Sequence, residues 1–183
     1  MALKSTVFKA ELAVADIDRG YYADHAVTLA RHPSETDERM MVRLLAFALY
    51  ADPQLAFGRG LSTEDEADLW QRDLTGRIER WIDVGLPDER DIRKACGRAD
   101  DVQVLAYGGR AVVLWWDDVR DRLAKQARLT VREVPGDASQ ALARLAQRSM
   151  RLQCTIQDGH VWMADGATSV PIELHVLQLR NGA

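Results

Sequence analysis

The segment Asp68-Leu69-Trp70-Gln71-Arg72-Asp73-Leu74-Thr75-Gly76-Arg77-Ile78-Glu79-Arg80-Trp81-Ile82-Asp83-Val84-Gly85-Leu86-Pro87-Asp88 decides how this chain folds. Asp68 opens the short run Leu69-Trp70, and the turn-prone Asp73-Leu74-Thr75-Gly76 reverses it. From Arg77 to Gly85 the residues alternate, so the stretch reads as a hairpin with Asp68 on its first strand and Asp83 on its second. Pro87 ends the second strand, because it has no N–H for a ladder and a fixed φ. Asp88 then caps a helix that passes through Cys96 and ends near Gly97, with Asp91 as a shortened capping-box partner.

Outward toward the N-terminus, residues 3–15 and 21–31 each approximate a period of two around the turn Asp16-Ile17-Asp18-Arg19-Gly20, which predicts a hairpin. His32-Pro33-Ser34-Glu35-Thr36-Asp37-Glu38 reads as a helix start, with Ser34 as cap and Asp37 at the capping-box position. That helix runs to about Tyr50 with Met41, Leu44, Leu45 and Ala48 as its apolar stripe. Glu35 and Glu38 stand near its positive end, where the helix dipole favours them. Residues 51–65, with Pro53, Gly58 and Gly60, read as irregular.

Outward in the other direction come a short apolar strand, Val102 to Tyr107, closed by Gly108-Gly109, and a helix from Ala111 to Gln126. Trp115, Trp116, Val119 and Leu123 take core spacing on that helix. A strand over 129–134 and a helix from Ala138 to about Arg148 follow, separated by Pro135-Gly136-Asp137. From Met150 the pattern is purely β: an alternating strand, the hairpin signal Asp158-Gly159, a return from His160 to Ala164, and one more strand over 170–176, all read as antiparallel. With no linker, repeat or low-complexity tract, residues 1–183 read as a single mixed α/β domain, a central mixed sheet flanked by helices with additional antiparallel strands at both ends.

Composition narrows the function. The 183 residues are 47% hydrophobic with a formal charge of −4, so any affinity for nucleic acid must be local rather than global. Arg77, Arg80, Arg90, Arg93, Lys94 and Arg98 provide such a local cluster, although ion pairing with Glu79, Glu89 and Asp91 explains them as well. Apolar runs such as Ala111 to Trp116 fall far short of the ~20 residues of a membrane span, and the chain reads as soluble and cytoplasmic. Cys96 and Cys154 take positions suited to burial without a CxxC neighbour, so both are expected reduced. His25, His32, His160 and His175 lack zinc-ligand spacing.

The hairpin carries the candidate chemistry. A period of two puts Arg77, Glu79, Trp81, Asp83 and Gly85 on one, more polar, face and Ile78, Arg80, Ile82 and Val84 on the other. Asp83, with Asp68 on the paired strand, can hold a hard cation such as Mg²⁺, which accepts one or two carboxylates and keeps several waters.

The strings Arg31-His32-Pro33-Ser34-Glu35-Thr36, Glu38-Arg39-Met40-Met41, Trp81-Ile82-Asp83-Val84-Gly85-Leu86-Pro87-Asp88-Glu89-Arg90, Lys94-Ala95-Cys96 and Thr155-Ile156-Gln157-Asp158-Gly159 resemble the YaeQ family of bacterial proteins over essentially the whole chain. The resemblance implies a restriction-endonuclease-like fold, a variant of the PD-(D/E)XK nucleases, and with it a Mg²⁺-dependent phosphodiesterase acting on nucleic acid. It assigns Glu35 or Glu38 to the helix acid, Asp68 to the hairpin Asp, Asp83 to the third acid and the Val84 carbonyl to a further metal ligand. Ala67 stands where the motif has Pro, and Gly85 where it has the Lys that offsets charge at the phosphate. Some members of that superfamily supply the Lys from the next helix, which makes Lys94 the substitute. Helical geometry, however, turns Lys94 roughly 150° from the apolar face of Ile92, Ala95, Cys96 and Ala99, toward solvent. The missing Lys leaves an alternative, a non-catalytic nucleic-acid- or protein-binding regulator on a degenerate nuclease fold. A small-molecule hydrolase using the same carboxylates also stays open.

Overall fold

A computed structural model describes residues 4–59 and 65–182. Among these residues the chain forms eleven strands and four helices, in the order β1 (Thr6–Asp16), β2 (Tyr21–Arg31), α1 (Asp37–Leu49), β3 (Leu55–Phe57), β4 (Leu69–Arg72), β5 (Ile78–Val84), α2 (Glu89–Arg98) and β6 (Ala99–Ala106). Then follow α3 (Arg110–Leu123), β7 (Leu129–Glu133), α4 (Gly136–Arg144), β8 (Ser149–Gln157), β9 (His160–Ala164), β10 (Ser169–Ile172) and β11 (His175–Gln178). The mixed α/β class follows the expectation. The single central sheet does not: the strands form two sheets, and the chain divides into two compact units, Met1–Ala51 with Asp137–Leu174, and Asp52–Gly136 with His175–Ala183.

The first unit holds a five-stranded sheet in the order β10-β9-β8-β1-β2. β1 alternates buried Phe8, Ala10, Leu12 and Val14 with outward residues, so one face of the sheet is apolar and takes α1, whose Met40 to Ala48 are all buried. β1 and β2 pair antiparallel from Thr6↔Arg31 to Asp16↔Tyr21 without a bulge, while β8 lies parallel to β1 and antiparallel to β9. Asp158 (φ 52°) and Gly159 (φ 76°) make the expected two-residue turn between β8 and β9, and Asp18 accepts both of their N–H groups at 2.7 and 2.9 Å.

The start of α1 differs from expectation. Thr36, rather than Ser34, is the N-cap, its hydroxyl accepting the Arg39 N–H at 3.1 Å. Ser34 is drawn instead to His32 Nδ1 at 2.7 Å, in a turn closed by the Glu35 N–H on the His32 carbonyl, and the helix begins only after that turn.

The second unit holds a six-stranded sheet in the order β11-β7-β6-β5-β4-β3. β5, β6 and β7 are parallel, which requires the crossovers supplied by α2 and α3. The core on the helix side joins Ile92, Ala95 and Cys96 of α2 and Val119 and Leu123 of α3 to Trp81, Val102, Val104, Leu129 and Val131. Within this unit Asp101, buried on β6, accepts from Arg80 Nε at 2.7 Å and Gln103 Nε2 at 2.8 Å and pairs with Arg180 at 3.3 Å. The strand expected over 170–176 splits into β10 and β11, one in each sheet, because Glu173-Leu174 leave the first sheet before pairing resumes at His175↔Glu133. Residues 51–59, expected irregular, contain β3; Gly60 and Glu64 lie outside the described residues. None of the described helices is long and apolar enough to cross a membrane.

Candidate metal centre

The hairpin of β4 and β5 sets the geometry. Leu69 pairs with Ile82, Trp70 with Trp81 and Gln71 with Arg80, while toward the turn the register shifts and Arg72 pairs with Ile78. Asp68 lies just before β4 rather than on it, and extending the register one residue past Leu69 and Ile82 puts it across from Asp83. Residues directly opposite in an antiparallel pair share a face. The turn beyond that shift is closed by Asp73, whose Oδ1 accepts from the Thr75 N–H, the Thr75 hydroxyl and the Arg77 N–H at 2.8, 2.7 and 3.0 Å. The Thr75 hydroxyl foremost, with those backbone donors and the Arg77 charge, holds the Asp73 carboxyl below its ordinary range.

Both carboxylates are half-buried and oriented by N–H donors. The Val84 N–H donates to Asp68 Oδ2 at 2.8 Å, and the Trp81 indole Nε1–H donates to Asp83 Oδ2 at 2.9 Å. Trp81 is itself fixed, 5% exposed, edge-on to Trp70 at 5.8 Å and beneath the Arg98 guanidinium. The face of β5 that carries Asp83, the more polar one by alternation, is apolar at Trp81, which packs in a core cluster with residues of α2. Backbone contacts place Asp68 from the other side. The Gly58 N–H donates to the Asp68 carbonyl at 2.9 Å, and a Cβ on Gly58 would lie 2.0 Å from the Ala67 carbonyl oxygen, so only glycine permits this approach.

Gly85 ends β5 with φ +106° and donates its N–H to the Leu105 carbonyl at 2.9 Å. A side chain there would be strained whatever space surrounds it, and its Cβ would face the Tyr107 ring at 3.8 Å.

The other sequence candidates have partners of their own. Glu35, in the first unit, is 6% exposed and receives Arg43 Nε at 2.7 Å, Arg43 Nη2 at 2.8 Å and Arg39 Nη1 at 3.1 Å. Glu38, in the same unit, accepts the Ser139 hydroxyl at 2.6 Å. Lys94 projects from α2 toward Asp65 at 3.6 Å, on the solvent side that its helical angle predicted. In the basic cluster Arg77 meets Asp100 at 2.6 Å, Arg80 meets Asp101 at 2.7 Å, Arg93 meets Glu89 at 3.1 Å and Arg98 lies 3.9 Å from Asp65, while the exposed Arg90 gives its backbone N–H to Asp88.

Among the described residues no group of three or more His, Cys, Asp or Glu is arranged to hold a metal ion. Carboxylates such as Asp68 and Asp83, with a backbone carbonyl such as that of Val84, are the donor types that a hard cation retaining its own waters accepts. Gly58 and the indole of Trp81 are the supporting residues that sequence reasoning missed. Trp81 shares a strand face with Asp83 and was findable from the period of two, whereas a lone glycine in an irregular stretch carries no signal.

Comparison with known proteins places the chain. The model of the YaeQ protein family matches residues 1–174. The uncharacterized protein YaeQ of Salmonella typhi is 49% identical over 178 residues, covering 97% of this chain and 98% of that protein, and the Escherichia coli K12 protein of the same name is 44% identical over the same span. The crystal structure of YaeQ from Xanthomonas axonopodis pv. citri superposes with a TM-score of 0.92 at 52% identity, over 95% of this chain and 98% of that one. The Pseudomonas syringae YaeQ crystal structure gives 0.92 at 38% identity, over 97% and 98%. The family model and these relatives span both units, and the chain belongs to the YaeQ family.

Proposed function

We propose that this protein is a divalent-cation-dependent phosphodiesterase acting on nucleic acid, built on a variant of the PD-(D/E)XK arrangement. The observation that carries the reading is the register of β4 and β5, whose extension past Leu69 and Ile82 brings Asp68 across from Asp83, together with the Val84 N–H on Asp68 Oδ2. The order α1, β3, β4, β5, α2, β6 along the chain, an acid-bearing hairpin between helices, supports the same reading. Asp68, Asp83 and the Val84 carbonyl would hold Mg²⁺, which when bound polarises a phosphoryl oxygen and activates a water near neutral pH. The Trp81 indole and the Val84 N–H hold the two carboxylates in place, which removes the need to reorganise them when a substrate arrives.

A second reading, a non-catalytic nucleic-acid- or protein-binding regulator, is favoured by Gly85. Its φ of +106° disfavours any lysine at the motif position, and Lys94 is turned to Asp65. Calorimetric titration with Mg²⁺ and Mn²⁺, followed by incubation with labelled single- and double-stranded DNA and RNA, separates the two. The phosphodiesterase reading expects a saturable site and cleavage, both lost in Asp83→Asn and Asp68→Asn while the circular dichroism spectrum is kept. Binding of nucleic acid without cleavage, with or without metal, would overturn it in favour of the regulator.

A further inference from the structure

We propose that two copies of this chain associate through the free edge of β2, joining their five-stranded sheets into one continuous sheet across a two-fold axis at Ala26.

The argument starts from backbone parity. On β1, Lys9 gives its N–H to Arg148 and Ile17, just beyond the strand, gives its N–H to Ile156, so the odd residues of β1 face β8. The even residues therefore bond to β2, through their partners Leu29, Val27, His25, Ala23 and Tyr21. What remains on β2 is its even set, Tyr22, Asp24, Ala26, Thr28 and Ala30, with N–H and C=O groups pointing away from the sheet. One of these groups has a partner, the Ala30 carbonyl, which accepts Arg43 Nη2 at 3.1 Å. Among the described residues, Tyr22, Asp24, Ala26 and Thr28 make no such bond, and all four have exposed side chains, Tyr22 at 65%.

Long edge strands are normally blunted by proline, lysine, a bulge or brevity. The two edges of this sheet differ in that respect. β10 has four residues and contains Pro171. β2 has eleven residues in unbroken register with β1 and has neither proline nor lysine. A sheet with one blunted and one open edge suits a closed pair, because a two-fold contact uses the open edge of each copy and leaves only blunted ones.

The side chains fit a second copy of the same strand. With Ala26 on the axis, the antiparallel register pairs Asp24 with Thr28 of the partner subunit and Ala26 with its own copy. Each Asp24 then meets a hydroxyl donor, no like charges stand directly opposite, and the small Ala26 side chains lie side by side on the axis. The large Tyr22 lies across from Ala30. Three residues of each strand exchange both backbone groups before Arg43 closes the ladder at Ala30.

Sedimentation equilibrium of the full chain from about 1 to about 200 µM tests this, together with amide exchange read residue by residue. The expected result is a dimer whose Asp24, Ala26 and Thr28 amides exchange slowly at high concentration and quickly on dilution. Ala26→Pro removes one outward N–H and no bond to β1, and Ala26→Glu opposes two carboxylates on the axis. Each is expected to raise the dimer dissociation constant at least about tenfold with an unchanged circular dichroism spectrum. If Ala26→Pro perturbs that spectrum, Ala26→Glu decides. A wild-type protein that stays monomeric at the highest concentration overturns the proposal, as does a dimer that persists in Ala26→Glu with the three amides exchanging quickly.

Discussion

Truncating Glu35 tests whether this acid serves the fold or a reaction. Its carboxylate is 6% exposed and receives both Nε and Nη2 of Arg43, itself 3% exposed, with Arg39 Nη1 as a third donor. Glu35→Ala leaves the Arg43 guanidinium buried without its carboxylate, though still donating to the Ala30 carbonyl. Stranding one member of a buried pair costs about 3–5 kcal/mol, since the charge keeps its desolvation penalty and loses its compensation. For a chain of this size each kcal/mol lowers the melting temperature by roughly 2–4 °C, so a fall of about 6–20 °C is expected. Removing both partners relieves the stranded charge, so Glu35→Met with Arg43→Met is expected to recover much of the loss. Urea unfolding and thermal melting followed by circular dichroism measure both variants beside the wild type. A Glu35→Ala protein within about 1 kcal/mol of wild type would refute the reasoning, because the pair would then be no more than a surface contact. Any loss of cation binding or activity in a Glu35 variant must accordingly be normalised to the folded fraction.

Gly85→Ala forces a Cβ onto a φ of +106° and is expected to cost about 1–3 kcal/mol in urea unfolding; a neutral effect would mean that the strand end relaxes freely. Burial pushes the Cys96 thiol up to about 11 and the Cys154 thiol up to about 12. Iodoacetamide at neutral pH should therefore label neither in the folded protein and both in urea, as read by mass spectrometry. Because the unfolded thiols ionise first, stability should fall as the pH rises past their ordinary value of 9.0. The depressed Asp73 carboxyl has the opposite sense: its contribution is complete above the ordinary value of 3.8 and lost as the pH falls through the native one. Asp73→Ala should flatten that acid limb in a pH series of unfolding curves, and an unchanged limb would remove the turn from the account.

Periodicity located most of the elements, the hairpin among them, because Asp73-Leu74-Thr75-Gly76 is a strong turn. Alternation did not fix its register, which shifts between Gln71 and Arg72 so that Arg72 pairs with Ile78 and Gln71 with Arg80. What it left open follows from physics that a single strand does not encode. The period of two put Asp83 on a polar face, but Trp81 on that face is covered by α2, a long-range contact that alternation cannot reveal. Ser34 and Thr36 are both competent caps, and His32 decided between them by engaging the Ser34 hydroxyl. Two sheets rather than one depend on which strands pair, and residues 170–176 alternate smoothly across the point where the chain changes sheets. At the candidate site Asp68 and Asp83 were legible, whereas the close approach of Gly58 to Ala67 depends on β3, which residues 51–59 do not announce.

The pairing of β1 with β8 has a consequence for how the protein is made. Lys9 must find Ser149, 140 positions later in the chain (149 − 9), and β11 is added to its sheet only after β8, β9 and β10 have been made. At a ribosomal rate of about 5–20 residues per second, the second edge of β1 waits roughly 7–28 s for its parallel neighbour. During that interval Phe8, Ala10, Leu12 and Val14 have only β2 and α1 beside them, and the outward N–H and C=O groups of β1 that will bond β8 stay without their strand partner.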